Sequence, residues 1–391
     1  MVRELPAPVT IRWRLPLFPV IVVAAFATLV SRMPHVLFRA EFWADDAVFY
    51  TDALHRGVAA IIEPLSGYLN LGSRSVAVVA TFVPPLYAPL VAAVLSLLVL
   101  AAAAAFATSD RLPWNRRTGL IVAFGIVALP ASFEVVGNMA HLQWPLSMWL
   151  AMTALSTAPT TPIRRGLEAS GIAVVGLSSL IGLLLLPLFV RGPRYRLLTL
   201  AAVALLQILV FDFGGRRDAG DVEWAIVPWV FFLRVLVAPL LGPSIVETLT
   251  QPALVAVGLV VLVGVLNILV RTPPPITTWA VYLGTSIPLL AIIIGGEATD
   301  SLARAATAPR YFWLTGVVLV VLIAVNRRHL LAIPLLLLLI GGIVIEWRIL
   351  EWPGGGWAER SACIGGPVSC SIPVEPIHDG WRVEWRPGTN D

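Results

Sequence analysis

The sequence contains no lysine, so all 27 of its Lys and Arg residues are arginine. Charge of either sign is scarce: Asp, Glu and Arg together make up 13% of the 391 residues. A soluble domain carries roughly a quarter charged residues to keep its surface in water, so a water-soluble globule is excluded. Cysteine is nearly missing. Cys363 and Cys370 are the only two, which rules out a disulfide-rich scaffold. Walker A, glycine-rich dinucleotide and HExxH patterns are all lacking, which removes the common nucleotide and zinc-protease chemistries. The 5 His and 2 Cys form no recognisable metal set. No series of charges inside the apolar runs outlines an ion path.

What is present is hydrophobic. Apolar residues make up 58% of the chain, and the mean hydropathy is +0.87. Uncharged runs recur along the whole length, many of them approaching the roughly 30 Å of a hydrocarbon core. The class is therefore all-α and polytopic. In a soluble chain the net charge of +4 would suggest nucleic acid. In a membrane protein arginines set topology instead, so no nucleic-acid partner is expected.

Arg3, Arg12 and Arg14 precede an apolar run from Leu15 to Val30. That run exceeds a signal-peptide core and no small-x-small site follows it, so it reads as a first span with a cytoplasmic N-terminus. Arginine clusters mark further cytoplasmic turns: Arg111, Arg116 and Arg117; Arg164 and Arg165; Arg191, Arg194 and Arg196; Arg271; Arg327 and Arg328. Between them, about eleven spans fall near 15–35, 84–107, 118–132, 143–158, 168–181, 182–191, 197–212, 252–270, 276–294, 311–326 and 330–346. The transmembrane module is 1–346, with a first external loop at about 36–83. An odd number of crossings leaves 347–391 as a small external tail, where Cys363 and Cys370 are free to pair. This layout leaves only Glu4, Asp110 and Glu168 of the 23 acids on the cytoplasmic side. Acids do little to set topology, so their crowding outside points to an external working face.

The weak part of the map is 165–251. Arg165 to Arg191 is too short for two full crossings of about 20 residues each. Two half-helices meeting near Ser178–Gly182 would fit, as broken segments do when they line a protein cavity. Residues 225–242 would then lie at the outer surface as an amphipathic segment. The rival map makes 168–190 and 225–242 single spans and leaves Arg234 in mid-membrane, a burden of about 2.5–3.5 kcal/mol.

Four stretches carry candidate chemistry. The first external loop holds Glu41, then Asp45 and Asp46 among Phe42, Trp43 and Phe49. Two adjacent carboxyls in apolar surroundings hold one proton between them, which suits a general base for a hydroxyl; an ordinary helix N-cap is the plainer alternative. Tyr68, Asn70 and Arg74 follow a Gly67 turn at helical spacing, as a binding element or an interfacial helix. Between the spans at 118–132 and 143–158, Glu134, Asn138, His141 and Gln143 occupy a loop. That loop must dip below the lipid surface, since 15 helical residues reach only about 22 Å. Polar groups at that depth are functional candidates, or caps of two short helices. Arg310 and Tyr311 open a late span, either as an anion site at a helix start or as an interfacial anchor pair.

This set of features resembles the GT-C superfamily of polytopic membrane glycosyltransferases, and within it bacterial members that use polyprenyl-phosphate sugars. The features are the acidic pair after the first span, the Gly-Tyr loop, the recessed Asn/His/Gln loop and the late Arg-Tyr. The resemblance covers most of the chain. It implies that Asp45, seconded by Asp46, is the catalytic base. It implies that His141 and Gln143 line the sugar or acceptor site, with Glu41, Tyr68, Arg74, Asn138 and Tyr311 in the binding set, and that Arg310 holds the donor phosphate. It further implies an inverting transfer without a cofactor or metal, on the outer face of a bacterial plasma membrane. The partners would be a polyprenyl-phosphate sugar donor, membrane lipids and a lipid or glycan acceptor of the cell envelope. The tail is shorter than the external domain of many relatives. A transporter or flippase of lipid-linked glycans is the main rival, and a non-catalytic membrane subunit the second.

Overall fold

The computed structural model describes residues 17–65, 67–210, 222–294, 302–349, 356–374 and 380–387. The expectations for Arg3, Arg12 and Arg14 lie outside these residues. Runs rich in Ala, Leu and Val fold as helices, and short polar signals start several of them. The Asn115 side chain accepts from the Thr118 N–H, and Thr161 from Arg164 N–H just ahead of Pro162, as N-caps do.

The order is α1 (Leu17–Arg32), α2 (His35–Phe38), α3 (Asp46–Arg56), a two-stranded ribbon of β1 (Pro64–Leu65) and β2 (Tyr68–Leu69), then α4 (Leu71–Ala80). There follow α5 (Ala88–Ala105), α6 (Arg116–Ala128), α7 (Gln143–Leu155), α8 (Pro162–Gly176), α9 (Ile181–Phe189) and α10 (Arg194–Val210). A helix α11 (Val227–Leu241) contains a π-helical stretch at Phe231–Val237. After α12 (Pro243–Thr248) come α13 (Gln251–Arg271), α14 (Pro274–Ile294), α15 (Arg310–Asn326) and α16 (Ala332–Ile345). The tail adds α17 (Trp357–Arg360) and an antiparallel ribbon of β3 (Cys370–Pro373) and β4 (Arg382–Trp385), closed by a Cys363–Cys370 disulfide.

A helix falls on every segment drawn as a span. By length and composition, Pro85–Thr108, Gln251–Arg271 and Pro274–Ile293 are able to cross a membrane. Helices α1, α11, α15 and α16 are apolar but shorter. Helix α15 is the hub. It is apolar on all sides and buried along nearly its whole length, as the central member of a bundle must be. Small residues let its neighbours approach: Gly125 of α6 faces Val320, and Gly316 faces Leu129 and Pro239.

The bundle has two chemically distinct ends. At one, Glu168 accepts from Arg196 Nε at 2.5 Å, from Tyr195 Oη at 2.7 Å and from Arg111. Arg327 there donates to Thr118 Oγ1 at 2.7 Å. The Glu168–Arg196 contact brings the start of α8 and the start of α10 together, so α8 and α9 form a hairpin that leaves and returns to the same end. Its apex is tied to the opposite end: Leu71 N–H donates to Leu177 O at 3.1 Å and Gly72 N–H to Ser178 Oγ at 2.9 Å. The two short helices expected to meet near Ser178–Gly182 are present as α8 and α9.

Residues 225–242 do not lie on the surface as an amphipathic segment. Helix α11 packs against α13, α15 and α16, with Phe232 against Gly258 and the Leu240 carbonyl against Gly342. Arg234 is 1% exposed; it donates to the Arg304 and Ala305 carbonyls and stacks on Phe312 at 4.5 Å. Two backbone carbonyls on Nη1 and a ring face compensate part of the cost of burying this guanidinium, while its Nη2 has no hydrogen-bond partner among the described residues. The tail covers the first loop. Trp357 is buried against Phe42 and Tyr50 and donates to the Pro85 carbonyl at 2.9 Å. Glu384 N–H donates to Thr51 Oγ1 at 3.0 Å.

Two outcomes are expected from the hairpin. Glu168→Ala strands the buried Arg196 and lowers stability by about 3 kcal/mol, read as a drop in thermal midpoint in detergent. Gly166→Cys and Gly192→Cys are modified by a membrane-impermeant thiol reagent from the same side of a sealed vesicle.

Candidate functional site

At the end opposite Glu168, the loop at 129–142 joins α6 to α7. Helix α6 stops at Ala128, and the loop is mostly buried, so its polar groups are held in protein rather than lipid. Glu134 is the centre of this loop. Its Oε2 accepts from Arg310 Nη1 at 2.8 Å and from Arg310 N–H at 3.4 Å, binding the side chain and the helix start of α15 at once. The protein's own carboxylate is therefore one partner of Arg310. Arg310 also stacks over Tyr311 at 4.8 Å, and Tyr311 meets Trp144 edge-on at 5.8 Å. Its side chain remains 24% exposed.

His141 Nδ1 lies 2.6 Å from the Glu134 carbonyl. A carbonyl only accepts, so Nδ1 carries the hydrogen and Nε2 a lone pair. Burial first, and the charge of Arg310 second, push the His141 pKa down to about 3. The ring is neutral at pH 7, with Nε2 facing Asp45 Oδ2 at 3.9 Å.

The acidic pair divides its work. Asp46 is 3% exposed. Its Oδ1 accepts from Ala140 N–H at 2.8 Å and its Oδ2 from Trp43 N–H at 3.3 Å, tying the first loop to the second. Burial outweighs these hydrogen bonds and raises its pKa to about 7. Asp45 holds the N-cap position of α3 but makes no side-chain capping bond. The plain N-cap reading thus fails for Asp45, and its carboxyl, 40% exposed, is left facing His141. Burial raises the Asp45 pKa and Arg310 opposes the shift. Ala44 and Ala308, next to Asp45 and two residues before Arg310, have φ of 40° and 46°. Left-handed backbone at a non-glycine residue costs about 1–2 kcal/mol, so strain sits at both points that deliver these charges.

Comparison with known proteins yields no match at any level: no family profile, no curated protein and no solved structure aligns significantly with this chain.

Asn138 belongs to the same cluster. Its Oδ1 accepts from Ala140 N–H at 3.0 Å, alongside Asp46. The bond to a residue two ahead is an Asx-turn, so its side chain does partly serve the local backbone. Gln143 accepts from Tyr68 Oη at 3.4 Å beside His141 in sequence. Tyr68, Asn70 and Arg74 do not share one helix: they sit on β2, at the junction, and in α4. Arg74, 1% exposed, is spent on Asp52 at 2.6 Å and stacks on Phe49, so it is a structural pair rather than part of the Asp45 cluster. Glu41 accepts from Gly356 N–H at 3.1 Å and tethers the tail. Among the described residues no group of three or more His, Cys, Asp or Glu is placed to hold a metal ion. The sequence places Glu134 in this loop but gives it no role, because pairing with an arginine 176 residues away leaves no local signal.

Asp46 sets a pH dependence. Its folded pKa of about 7 lies above the unfolded 3.8, so the folded state holds the extra proton between these values. Stability then falls as pH rises from about 4 to about 7 and is flat above. Asp46→Asn removes that slope in thermal melts across the window. Asp45→Asn changes stability by less than about 1 kcal/mol, because its carboxyl caps nothing.

Proposed function

We propose that this chain is an inverting GT-C-like glycosyltransferase of a bacterial plasma membrane. It would cross the bilayer about eleven times and move a sugar from a polyprenyl-phosphate donor to a lipid or glycan acceptor on the outer face. One observation carries the reading: an uncapped carboxyl, Asp45, faces a neutral His141 Nε2 at 3.9 Å and lies within the field of Arg310. That grouping joins a proton acceptor to a cation at one end of an apolar bundle.

In this scheme Asp45 accepts the proton of the acceptor hydroxyl. The hydroxyl oxygen bonds to the anomeric carbon from the face opposite the phosphate, and the bond from that carbon to the phosphate oxygen breaks. The departing phosphate gains negative charge beside Arg310. Its guanidinium has five N–H donors, and Glu134 takes one of them through the side chain, so further donors face the leaving group. Glu134 preorganises that cation. His141 Nε2 is an acceptor for a second sugar hydroxyl. The sugar passes through a cationic transition state, which the nearby carboxyl of Asp45 also favours. Asp46 holds the two loops in register.

A transporter or flippase of lipid-linked glycans would share the α8–α9 hairpin. Ser178 and Ser179 at its apex are fully buried, and Ser178 is bonded to the first loop. An apex spent on internal contacts favours the transferase.

Asp45→Asn is expected to lower sugar transfer at least about 100-fold, with folding and lipid-donor binding intact. Unchanged transfer by the variant carrying both Asp45→Asn and Asp46→Asn would remove the enzymatic assignment from the pair. Arg310→Ala is expected to weaken donor binding while leaving acceptor-only binding unchanged, measured by separate titrations.

A further inference from the structure

The Glu168 end of the bundle, away from the proposed transfer site, holds a cavity of about 520 Å³. One wall is apolar and is made by Trp149 of α7 and Leu167 of α8. Leu167 is 68% exposed, and Ile163, one turn before it, is 77% exposed. On a bundle of this composition, exposed leucine and isoleucine side chains adjoin lipid tails, which are as apolar as they are. The rim of the cavity at Leu167 therefore meets the hydrocarbon edge, where a tryptophan is also at home.

The rest of the wall is basic. Arg111 and Arg164 both line the cavity. Arg111 donates from Nε to the Thr157 carbonyl at 2.8 Å, and from Nη2 to Ser156 Oγ at 3.2 Å and to Glu168. Its Nη1 has no acceptor among the described residues and is not sealed in the interior; the side chain is 29% exposed. Arg164 is exposed on the first turn of α8, and its side chain makes no hydrogen bond or ion pair among the described residues. Glu168 is the acid on this wall, but its side chain is only 5% exposed and both its oxygens already accept hydrogen bonds. Arg196 behind it is 1% exposed and donates from all three of its nitrogens, so it adds positive charge without an open donor. Three arginines thus meet one saturated carboxylate. Open guanidinium N–H groups around a concave space match the oxygens of a phosphate, and the surplus charge favours a net anion over a zwitterion.

We infer that this cavity holds the phosphate of a net-anionic membrane lipid: Arg111 and Arg164 grip the phosphate oxygens beside the Thr160 hydroxyl, and an acyl chain leaves over Trp149 and Leu167. The lipid bridges the loop that carries Arg111 to the start of α8, and so braces the open side of the α8–α9 hairpin. Free phosphate shares the headgroup chemistry but leaves the apolar wall uncovered, which favours the lipid. The site does not depend on the transfer reaction.

The test titrates the delipidated full chain, in a neutral detergent, with dilauroyl phosphatidylglycerol, dilauroyl phosphatidylcholine and inorganic phosphate, and counts bound adducts by native mass spectrometry. Phosphatidylglycerol is expected to bind saturably and about tenfold more tightly than phosphatidylcholine. Arg164→Gln raises its half-saturation about fivefold. Arg328→Gln, at an exposed arginine of the same end outside the cavity, leaves it unchanged. Thr160→Glu, at an exposed position on the wall, sets a carboxylate against the phosphate and abolishes the saturable binding. Neither Arg164 nor Thr160 has a side-chain partner among the described residues, so the lipid-free thermal midpoint is expected to stay as it is in both variants. Equal losses in Arg164→Gln and Arg328→Gln would mean diffuse attraction to a basic face and would overturn the inference, as would equal affinity for the two lipids. Saturable uptake of inorganic phosphate that Arg164→Gln removes, with no saturable lipid, would give the cavity to free phosphate and overturn the lipid assignment.

Discussion

The Glu134–Arg310 ion pair is the interaction on which the site rests. One carboxylate oxygen holds both the guanidinium and the backbone N–H at the start of α15. In a site this poorly hydrated, either charge alone would be expensive to hold; together they lock the loop at 129–142 onto the most buried helix of the bundle. The Glu134 carbonyl then sets the tautomer of His141, and the same loop presents Ala140 N–H to Asp46. Asp45, Asp46, Asn138, His141 and Arg310 come from three distant parts of the sequence. They keep fixed positions because this single carboxylate ties two of those parts and Asp46 ties the third.

The polar groups are also sorted by role. Glu168, Arg196 and Arg111 form a compact knot at one end, where one carboxylate takes hydrogen bonds from both arginines and Tyr195 and the hairpin of α8 and α9 is pinned. At the other end the matching is incomplete. Asn138 Nδ2 and His141 Nε2 are buried without hydrogen-bond partners among the described residues, and two alanines hold left-handed backbone. Satisfied networks stabilise, whereas unpartnered buried polar atoms and left-handed backbone each cost free energy.

Much of the architecture was legible in the sequence. Helices occupy all the apolar segments, because runs of Leu, Val and Ala bounded by caps and proline have few other ways to satisfy their backbone. The meeting of two short helices near Ser178–Gly182 follows from the spacing of Arg165 and Arg191 set against the length of a full crossing. Residues 225–242 went wrong for an instructive reason. Arg234 looked too charged to bury, and the sequence gives no notice that the carbonyls of Arg304 and Ala305 and the ring of Phe312 surround it.

The site divides in the same way. Residue type and local spacing determined that Asp45 and Asp46 begin a helix, that the loop from Glu134 to Gln143 is recessed, and that Arg310 opens an apolar helix. Only the tertiary structure decided which carboxyl serves the backbone and which is left over, that Glu134 pairs with Arg310, and that Arg74 belongs to Asp52. Helix formation is governed by neighbours along the chain, so it can be read from them. Partner choice among charges depends on contacts between residues as much as 176 positions apart, and no local pattern records those.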